Sequence, residues 1–248
     1  MEKVELIKKI QEKKEFLEIP ESIIERVLEL KEIKQKDNED KIKSARAFLR
    51  KYFSVFMTNK LVSGNLNEDE VLAKHISMKD RNYEELYTRI LNGENVVIDL
   101  GCGMNGFSYK YLGGKKYIGV EAINIFVKLM NDYFNKNKFN AYIFWMDLFN
   151  LDKIKELVLN EKGKKIVFMF NLIDALENIE RDYSKKLIFA LFELGIEKIV
   201  LSWPTKSISG KNKFNAKRSW IINFVEENFY VLDDFEMNGE RFLMFGKK

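Results

Sequence analysis

The chain has very few of the residues from which disulfides, metal centres and catalytic triads are built. Its 248 residues include one cysteine and one histidine. A single cysteine excludes a disulfide framework and a cysteine-rich metal site. A single histidine argues against a histidine-ligated metal ion and against a Ser-His-Asp triad. We therefore predict a functional site without a metal.

Long apolar runs are also missing. The sequence has no run of about 18 apolar residues, and its N-terminal residues, Met1–Glu5, lack the apolar core of a signal peptide. Hydrophobic residues still make up 46% of the chain, which is enough to bury a core. These features predict a cytoplasmic protein that does not associate with membranes.

Positive charge is modest overall but clustered. The net charge of +4 does not by itself indicate a nucleic-acid-binding protein. The segment from residue 206 to residue 218 nevertheless holds cations and no acid, with Phe214 within it and Trp220 beside it. Such a segment can bind RNA phosphates and stack on bases, or it can be a solvated loop whose lysines serve solubility. The cations that we predict to bind RNA are Lys206, Lys211, Lys213, Lys217 and Arg218.

Helical periodicity dominates up to residue 92. Apolar residues recur at helical spacing over Val4–Ile10, Ile23–Leu28 and Ala45–Phe56. The third segment also carries cations on one face, which could lie along an RNA backbone or belong to an ordinary amphipathic surface helix. We predict that residues 1–92 form a helical RNA-docking domain. Its predicted RNA contacts are Lys43, Arg46 and Arg50.

Strand-like and helix-like segments alternate after residue 93. This alternation predicts an α/β fold with a doubly wound parallel sheet and a ligand at the carboxyl ends of its strands. The last two strands, around Asn238-Gly239, predict a hairpin, which is typical of the methyltransferase variant of this architecture. The predicted strands are Val96–Leu100, Lys116–Val120, Ala141–Met146, Ile166–Phe170, Ile199–Trp203, Tyr230–Phe235 and Arg241–Phe245.

A glycine-rich turn follows the first predicted strand and should open a helix. Gly101, Gly103 and Gly106 satisfy the G-x-G-x-x-G pattern of dinucleotide sites, which alone is a weak signal. Asp99 favours a different cofactor, because class I S-adenosylmethionine (SAM) methyltransferases carry an acid two residues before the first glycine. A dinucleotide site and a turn without a ligand remain the alternatives. We favour SAM as the cofactor and predict that residues 93–248 form a Rossmann-like class I SAM methyltransferase domain.

Two further acids close predicted strands. Glu121 ends the second strand, where a carboxylate can accept hydrogen bonds from both ribose hydroxyls. Asp147 ends the third strand, where it can accept from an adenine amino group with Leu148 against the ring. Each acid could instead cap a helix or carry a loop charge, but their joint occurrence favours cofactor binding. Cys102, as a small residue in the tight turn, and Ala122 complete the predicted cofactor site.

Three segments of the chain match the motifs of one enzyme family. Residues 201–211, LSWPTKSISGK, are similar to a segment of the form S-F-P-[TI]-[KR]-S-L-[SG]-G. Residues 99–105, DLGCGMN, resemble a D-[FIL]-G-C-G-x-N loop, and residues 75–81, HISMKDR, resemble an H-x-S-[TS]-x-[ED]-R segment. The order of the N-terminal helices also agrees. Over nearly its whole length the chain resembles the 16S rRNA (guanine-N7) methyltransferases of the aminoglycoside-resistance type.

This resemblance implies a reaction and assigns roles to residues. It implies methylation of N7 of a guanine in the decoding region of 16S rRNA, within the 30S subunit, and a link to aminoglycoside resistance. It implies that Arg81 binds the SAM carboxylate and that Gly101 and Gly103 line the methionine. Asn171 and Leu172 would face the transferred methyl group and the target base. The RNA contacts that it implies are Lys206, Ser207 and Lys211.

The proposed chemistry needs no conspicuous general base. Guanine N7 carries a free lone pair and can accept the methyl group without losing a proton, so catalysis reduces to positioning and electrostatic stabilisation. We therefore predict a monomeric enzyme with structured RNA as its substrate. Two alternatives stay open: a methyltransferase of tRNA or another structured RNA, and a non-catalytic ribosome-assembly factor that keeps the SAM fold.

Overall fold

The helices and strands of the protein follow the two apolar periodicities of its sequence. The computed structural model describes residues 2–53, 81–205 and 218–248. Its α-helices are α1 (Lys3–Gln11), α2 (Glu21–Glu29), α3 (Lys31–Lys34), α4 (Asn38–Tyr52), α5 (Tyr83–Ile90), α6 (Asn124–Asn137), α7 (Leu151–Asn160), α8 (Ile173–Ile179), α9 (Tyr183–Glu193) and α10 (Ser219–Asn228). Its strands are β1 (Val96–Leu100), β2 (Lys116–Glu121), β3 (Ala141–Trp145), β4 (Lys165–Phe170), β5 (Lys198–Pro204), β6 (Phe229–Met237) and β7 (Glu240–Lys247). Short 3-10 helices cover Lys14–Phe16 and Asn105–Tyr111.

The strands form one seven-stranded sheet in the order β3-β2-β1-β4-β5-β7-β6. Strands β1 to β5 run parallel, whereas β7 pairs antiparallel with both β5 and β6. The hairpin turns at Asn238 and Gly239, which both have positive φ, as a tight turn between strands requires. The predicted α/β class, with its doubly wound sheet and terminal hairpin, is confirmed.

The N-terminal helices pack around a shared apolar core. Ile10, Ile24 and Leu49, from α1, α2 and α4, are completely buried. Helix α4 begins where the Asp37 side chain accepts a hydrogen bond from the backbone N–H of Asp40, at 2.9 Å. The core of these helices is continuous with the apolar layer on one face of the sheet, which includes Leu201.

Helix α5 packs on the apolar layer of the opposite face. The Tyr87 ring stacks on Phe168 of β4, with ring centroids 5.9 Å apart, and Leu86 and Ile90 are completely buried. Helix α5 lies before the predicted boundary at residue 92, yet it shares the core of the sheet. The division into domains at 1–92 and 93–248 stays a prediction.

The element predictions differ from the structure in a few places. The strand limits agree within one or two residues, but α3, α5 and α8 were not predicted. The glycine-rich turn leads into a 3-10 helix rather than the predicted helix of α type, and its first residue, Asn105, donates to Asp99. The third N-terminal helix was predicted to close at Ser63-Gly64-Asn65, and these residues lie outside the described ones. Within the described ranges, no helix is both long enough and apolar enough to cross a membrane.

A buried ion pair at the amino-terminal edge of the sheet should contribute strongly to stability. Lys198 Nζ lies 2.6 Å from Glu94 Oε1, and both side chains are buried. We expect Lys198→Met to lower the free energy of unfolding by about 3 kcal/mol, because it leaves Glu94 as an unpaired buried charge. The double variant with Glu94→Gln should recover part of this loss in urea denaturation.

The matched control for this pair is an exposed pair near the same edge. Lys164 and Glu197 lie 3.9 Å apart with exposed side chains. Lys164→Met should change stability by no more than about 0.5 kcal/mol, since exposed pairs are screened by solvent. If Lys198→Met and Lys164→Met lowered the free energy of unfolding equally, the stabilising role of the buried Lys198–Glu94 pair would be contradicted.

Candidate functional site

A cleft opens at the carboxyl ends of the parallel strands. The tips of β1, β2, β3 and β4 form its floor, and residues of α2 and the end of α4 form its far wall. The predicted cofactor residues gather here with residues that were not predicted. Its lining residues include Arg81, Asp99, Gly101, Cys102, Gly103, Asn105, Glu121, Ala122, Asp147, Leu148, Asn171 and Leu172, together with Ile23, Tyr52 and Phe53.

The glycine-rich turn brings bare backbone to the cleft. Gly101 and Gly103 have φ values of +66° and +50°, which disfavour residues with a side chain. A Cβ atom at Gly101 would lie 2.7 Å from Leu172 Cδ1, whereas the corresponding space at Gly103 is open. The turn therefore offers a surface that an elongated ligand can approach closely.

Asp99 is a buried residue whose two carboxylate oxygens differ in their hydrogen bonding. Its Oδ2 atom accepts hydrogen bonds from Asn105 Nδ2 at 2.7 Å and from the Tyr117 hydroxyl at 2.8 Å. Its Oδ1 atom is buried and has no partner among the described residues. Burial raises the pKa of Asp99 to about 6. A buried acceptor without a partner is costly, so this oxygen fits a ligand that brings a donor, above all a cationic one.

Glu121 is fixed at the tip of β2. Its two carboxylate oxygens accept from the backbone N–H groups of Gly103 and Ile123, each at 2.8 Å. Burial raises the pKa of Glu121 above its ordinary value. A carboxylate has about four acceptor positions, so both oxygens can still accept from a ligand such as a ribose. The same contacts tie the glycine-rich turn to β2.

Asp147 joins the tip of β3 to the N-terminal helices. Its Oδ1 atom accepts from the backbone N–H of Phe149 at 2.9 Å, and its Oδ2 atom accepts from the Ser22 hydroxyl at 2.7 Å. Ser22 lies on α2, whose neighbouring Ile23 lines the cleft. Leu148 is buried beside Asp147. The helical region thus closes this end of the cleft.

Arg81 lies in the cleft wall but its charge is already paired. Its Nη2 atom donates to Glu240 Oε1 at 2.7 Å, and its Nε atom donates to Glu240 Oε2 at 3.0 Å. Burial alone would lower the pKa of Arg81, but the charge of Glu240 raises it above its ordinary value. The Nη1 atom of Arg81 lies 3.2 Å from Asn105 Oδ1 and 3.5 Å from the Tyr83 hydroxyl. The role of Arg81 toward a cofactor carboxylate stays a prediction, and such a ligand would have to share or replace these contacts.

Asn171 and Leu172 follow β4 directly, as the prediction of a site at the strand ends requires. Asn171 has a positive φ of 54°, and its backbone N–H donates to the Ser202 carbonyl oxygen at 3.0 Å. Leu172 is buried against Gly101. Cys102 also lines the cleft, and burial raises the pKa of its thiol well above the ordinary value. It is therefore unsuited to act as a nucleophile, as expected from its place in the turn.

The predicted RNA-binding cations have different environments. The side chains of Lys43 and Arg50 are 74% and 55% exposed, whereas that of Arg46 is only 21% exposed. Arg46 donates to the carbonyl oxygen of Lys9 and so ties α4 to α1. Arg50 pairs with Glu15 at the surface. Only Lys43 and Arg50 of this face are therefore placed to meet a phosphate.

Arg218 requires a correction. Its buried guanidinium donates to both carboxylate oxygens of Asp174, at 2.9 and 2.5 Å, and lies over the Trp203 ring. It anchors the start of α10 instead of presenting a free charge, because its long side chain turns inward to a partner distant in sequence. The other predicted cations and Ser207 lie outside the described residues: Lys206, Lys211, Lys213 and Lys217.

Sequence reasoning did not identify Glu240, which is the partner of Arg81. Glu240 is the first residue of β7, opposite Pro204 at the carboxyl end of β5. The sequence did contain a feature that could have identified Glu240. The second strand of the predicted hairpin runs antiparallel to β5, so its first residue lies beside the carboxyl end of β5, at the edge of the sheet where a ligand is expected to bind. Tyr117 and Asn105, which hold Asp99, were also not predicted.

No protein-family model and no curated protein sequence matches the chain. Solved structures do match over the whole chain. The 16S rRNA methylase RmtB has a TM-score of 0.76 at 18% identity, with 100% of this chain and 99% of that chain covered. An rRNA methylase from Escherichia coli has a TM-score of 0.75 at 15% identity, with both chains covered completely.

A third match carries a ligand. The 16S rRNA methyltransferase RmtF, solved in complex with S-adenosyl-L-homocysteine, has a TM-score of 0.79 at 17% identity, and both chains are covered completely. The chain shares its fold with 16S rRNA methylases. This likeness includes the N-terminal helices as well as the sheet, since it extends over the full length of the chain.

Proposed function

We propose that this protein is a SAM-dependent methyltransferase that methylates N7 of a guanine in the decoding region of 16S rRNA. The observation that carries the proposal is the whole-chain structural likeness to 16S rRNA methylases. Folds alone do not determine function, so the cleft must support the same conclusion. We further propose that the protein acts as a cytoplasmic monomer on the 30S subunit.

The residues of the cleft fit SAM. The partnerless Oδ1 atom of Asp99 would accept from the ammonium group of the cofactor. Gly101 and Gly103 would leave room for its methionine part. Glu121 would bind the ribose hydroxyls and Asp147 the adenine amino group, and both already lie at strand ends with acceptor capacity to spare.

The chain would contribute positioning and exclusion of water. SAM would supply an electrophilic methyl group, and the N7 lone pair of guanine needs no proton acceptor. Asn171 and Leu172 lie at the end of β4, in the cleft floor beside the glycine-rich turn, where a target base could be held. Tyr52 and Phe53 from the end of α4 add apolar surface to the wall. Holding both reactants in line in a closed cleft supplies most of the catalysis that this reaction needs.

The function is tested directly by mapping the product. Purified protein is incubated with 30S subunits and SAM carrying a radioactive methyl group, and the 16S rRNA is treated with borohydride and aniline before primer extension. We expect one cleavage stop, at a guanine of the decoding region, that depends on the protein. A methyl group found only on tRNA would replace the proposed substrate. No methyl transfer to any RNA would favour the non-catalytic alternative.

Cofactor affinity should depend on pH through Asp99. The pKa of this carboxyl is raised to about 6 by burial, so its ionisation costs stability in the unliganded protein as the pH rises through 6. A bound ammonium group, charged below about pH 7.5, would recover that cost. We expect the affinity for S-adenosylhomocysteine, measured by calorimetry, to rise about tenfold between about pH 5 and pH 7.

Two variants assign this pH dependence to a residue. Asp99→Asn should bind more weakly and lose the step near pH 6, because the titrating carboxyl is gone. Glu121→Gln should also bind more weakly but keep the step. A full tenfold step in Asp99→Asn would show that another group is responsible.

The exposed cations of α4 should bind RNA phosphates. We expect the double variant Lys43→Gln, Arg50→Gln to weaken binding to 30S subunits and to reduce the salt dependence by about two counterions. Binding of S-adenosylhomocysteine should not change, because neither side chain is in the cleft. The matched control is Lys164→Gln, which removes an exposed cation that precedes β4 at the opposite edge of the sheet. An unchanged salt dependence in the double variant would remove α4 from the proposed RNA-binding surface.

A further inference from the structure

The side-chain amide of Asn171 forms a hydrogen bond through its nitrogen but not, among the described residues, through its oxygen. Its Nδ2 atom donates to Glu240 Oε1 at 3.1 Å. Its Oδ1 atom is buried and has no hydrogen-bond partner among the described residues. Asn171 lines the cleft immediately after β4, next to Leu172. The unused acceptor is therefore a property of the cleft floor.

Glu240 determines which end of the amide is left free. Its carboxylate accepts from Arg81 Nη2 and Nε at 2.7 and 3.0 Å and from the Ser202 hydroxyl at 2.5 Å. An ionised carboxylate only accepts hydrogen bonds. If the Asn171 amide were turned over, its oxygen would face the carboxylate and two acceptors would oppose each other. The amide is thus held with its nitrogen toward Glu240 and its oxygen away from it.

The backbone of Asn171 adds to this restraint. Its N–H group is bound to the carbonyl oxygen of Ser202 at 3.0 Å and lies 3.2 Å from the Ser202 hydroxyl oxygen. The residue has a positive φ of 54°, which asparagine tolerates better than most residues do. Main chain and side chain are therefore both fixed by β5 and β7 rather than by β4 alone.

We propose that Glu240 is a positioning residue, and that it presents Asn171 Oδ1 as an acceptor for the Watson–Crick edge of the target guanine. This inference rests on the proposed function and specifies how the enzyme would select guanine as its target base. Guanine carries donors at N1 and at its 2-amino group, whereas adenine has a bare N1 and a C–H at these positions. Both purines have an N7 lone pair, so the nucleophile cannot distinguish them and a contact on the other edge is needed.

The same contact would assist the reaction. Transfer of a methyl group to N7 leaves a positive charge on the purine, which makes the donors at N1 and the 2-amino group stronger. An acceptor backed by a carboxylate becomes more favourable as this charge develops, which is the condition for stabilising a transition state. Glu240 would act on the base only through the Asn171 amide.

The test compares guanine with adenine at the mapped nucleotide. Mutant 30S subunits carrying adenine at that position are prepared beside wild-type subunits, and single-turnover methyl transfer is measured at saturating SAM. Saturation removes any effect of Glu240 on cofactor affinity through Arg81. The proteins are the wild type, Glu240→Gln, Asn171→Gly and the control Glu236→Gln. Glu236 is an exposed acid of β6 in the same hairpin, and it contacts Thr205 outside the cleft.

We expect the wild type and Glu236→Gln to prefer guanine strongly. In Glu240→Gln the amide at position 240 can donate, so the Asn171 amide is free to turn over and the preference should fall about tenfold. Asn171→Gly removes the acceptor while glycine accommodates the positive φ, and the preference should fall by a similar factor. Because a merely structural role would slow both substrates equally, the ratio separates the two roles.

The outcomes distinguish this inference from the function on which it rests. If the wild type methylates guanine N7 and all four proteins show the same preference, the positioning role is overturned and the proposed function stands. If the wild type transfers no methyl group, both fall together. Should Glu240→Gln fail to fold, as circular dichroism would reveal, Asn171→Gly still tests the contact with the base, because it leaves the Arg81–Glu240 pair in place. An unchanged preference in that variant would overturn the proposal.

Discussion

The ion pair between Arg81 and Glu240 holds together parts of the chain that are far apart in sequence. Arg81 stands just before α5, Glu240 begins β7, and the same carboxylate reaches Ser202 on β5. The Arg81 side chain is only 4% exposed, so neither member can lose its partner without leaving a charge inside the protein. The wall of the cleft on this side depends on that pairing.

The opposite side of the cleft depends on two acids, Glu121 and Asp147, whose carboxylates accept hydrogen bonds from the chain's own donors. Glu121 is held by two N–H groups of neighbouring loops, and Asp147 by one N–H group and one hydroxyl. Because these donors belong to the chain itself, the carboxylates keep their positions whether or not a ligand is bound. The cleft is thus preorganised around Glu121 and Asp147, which limits the ordering cost of binding a ligand there.

The sequence was sufficient to predict features that depend on local order. Strand–helix alternation predicted the sheet, and the position of Asp99 before the glycine-rich turn predicted the acid at the centre of the cleft. Features that depend on distant partners were not predictable in this way. Arg218 looked like one more cation of a basic segment, but its charge is neutralised by Asp174, which is 44 residues away. Arg46 is likewise held by Lys9 of α1 and by Glu12, which directly follows that helix.

The hydrogen bond from Ser22 to Asp147 makes two regions thermodynamically dependent on each other. A ligand that bound at Asp147 would share that carboxylate with α2, and Ile23 on the same helix lines the cleft. Coupling between two sites is reciprocal in free energy. A partner that shifts α2 on docking therefore changes affinity in the cleft, and occupancy of the cleft changes the affinity for that partner by the same factor. The total free energy of binding both ligands is the same whichever of them binds first.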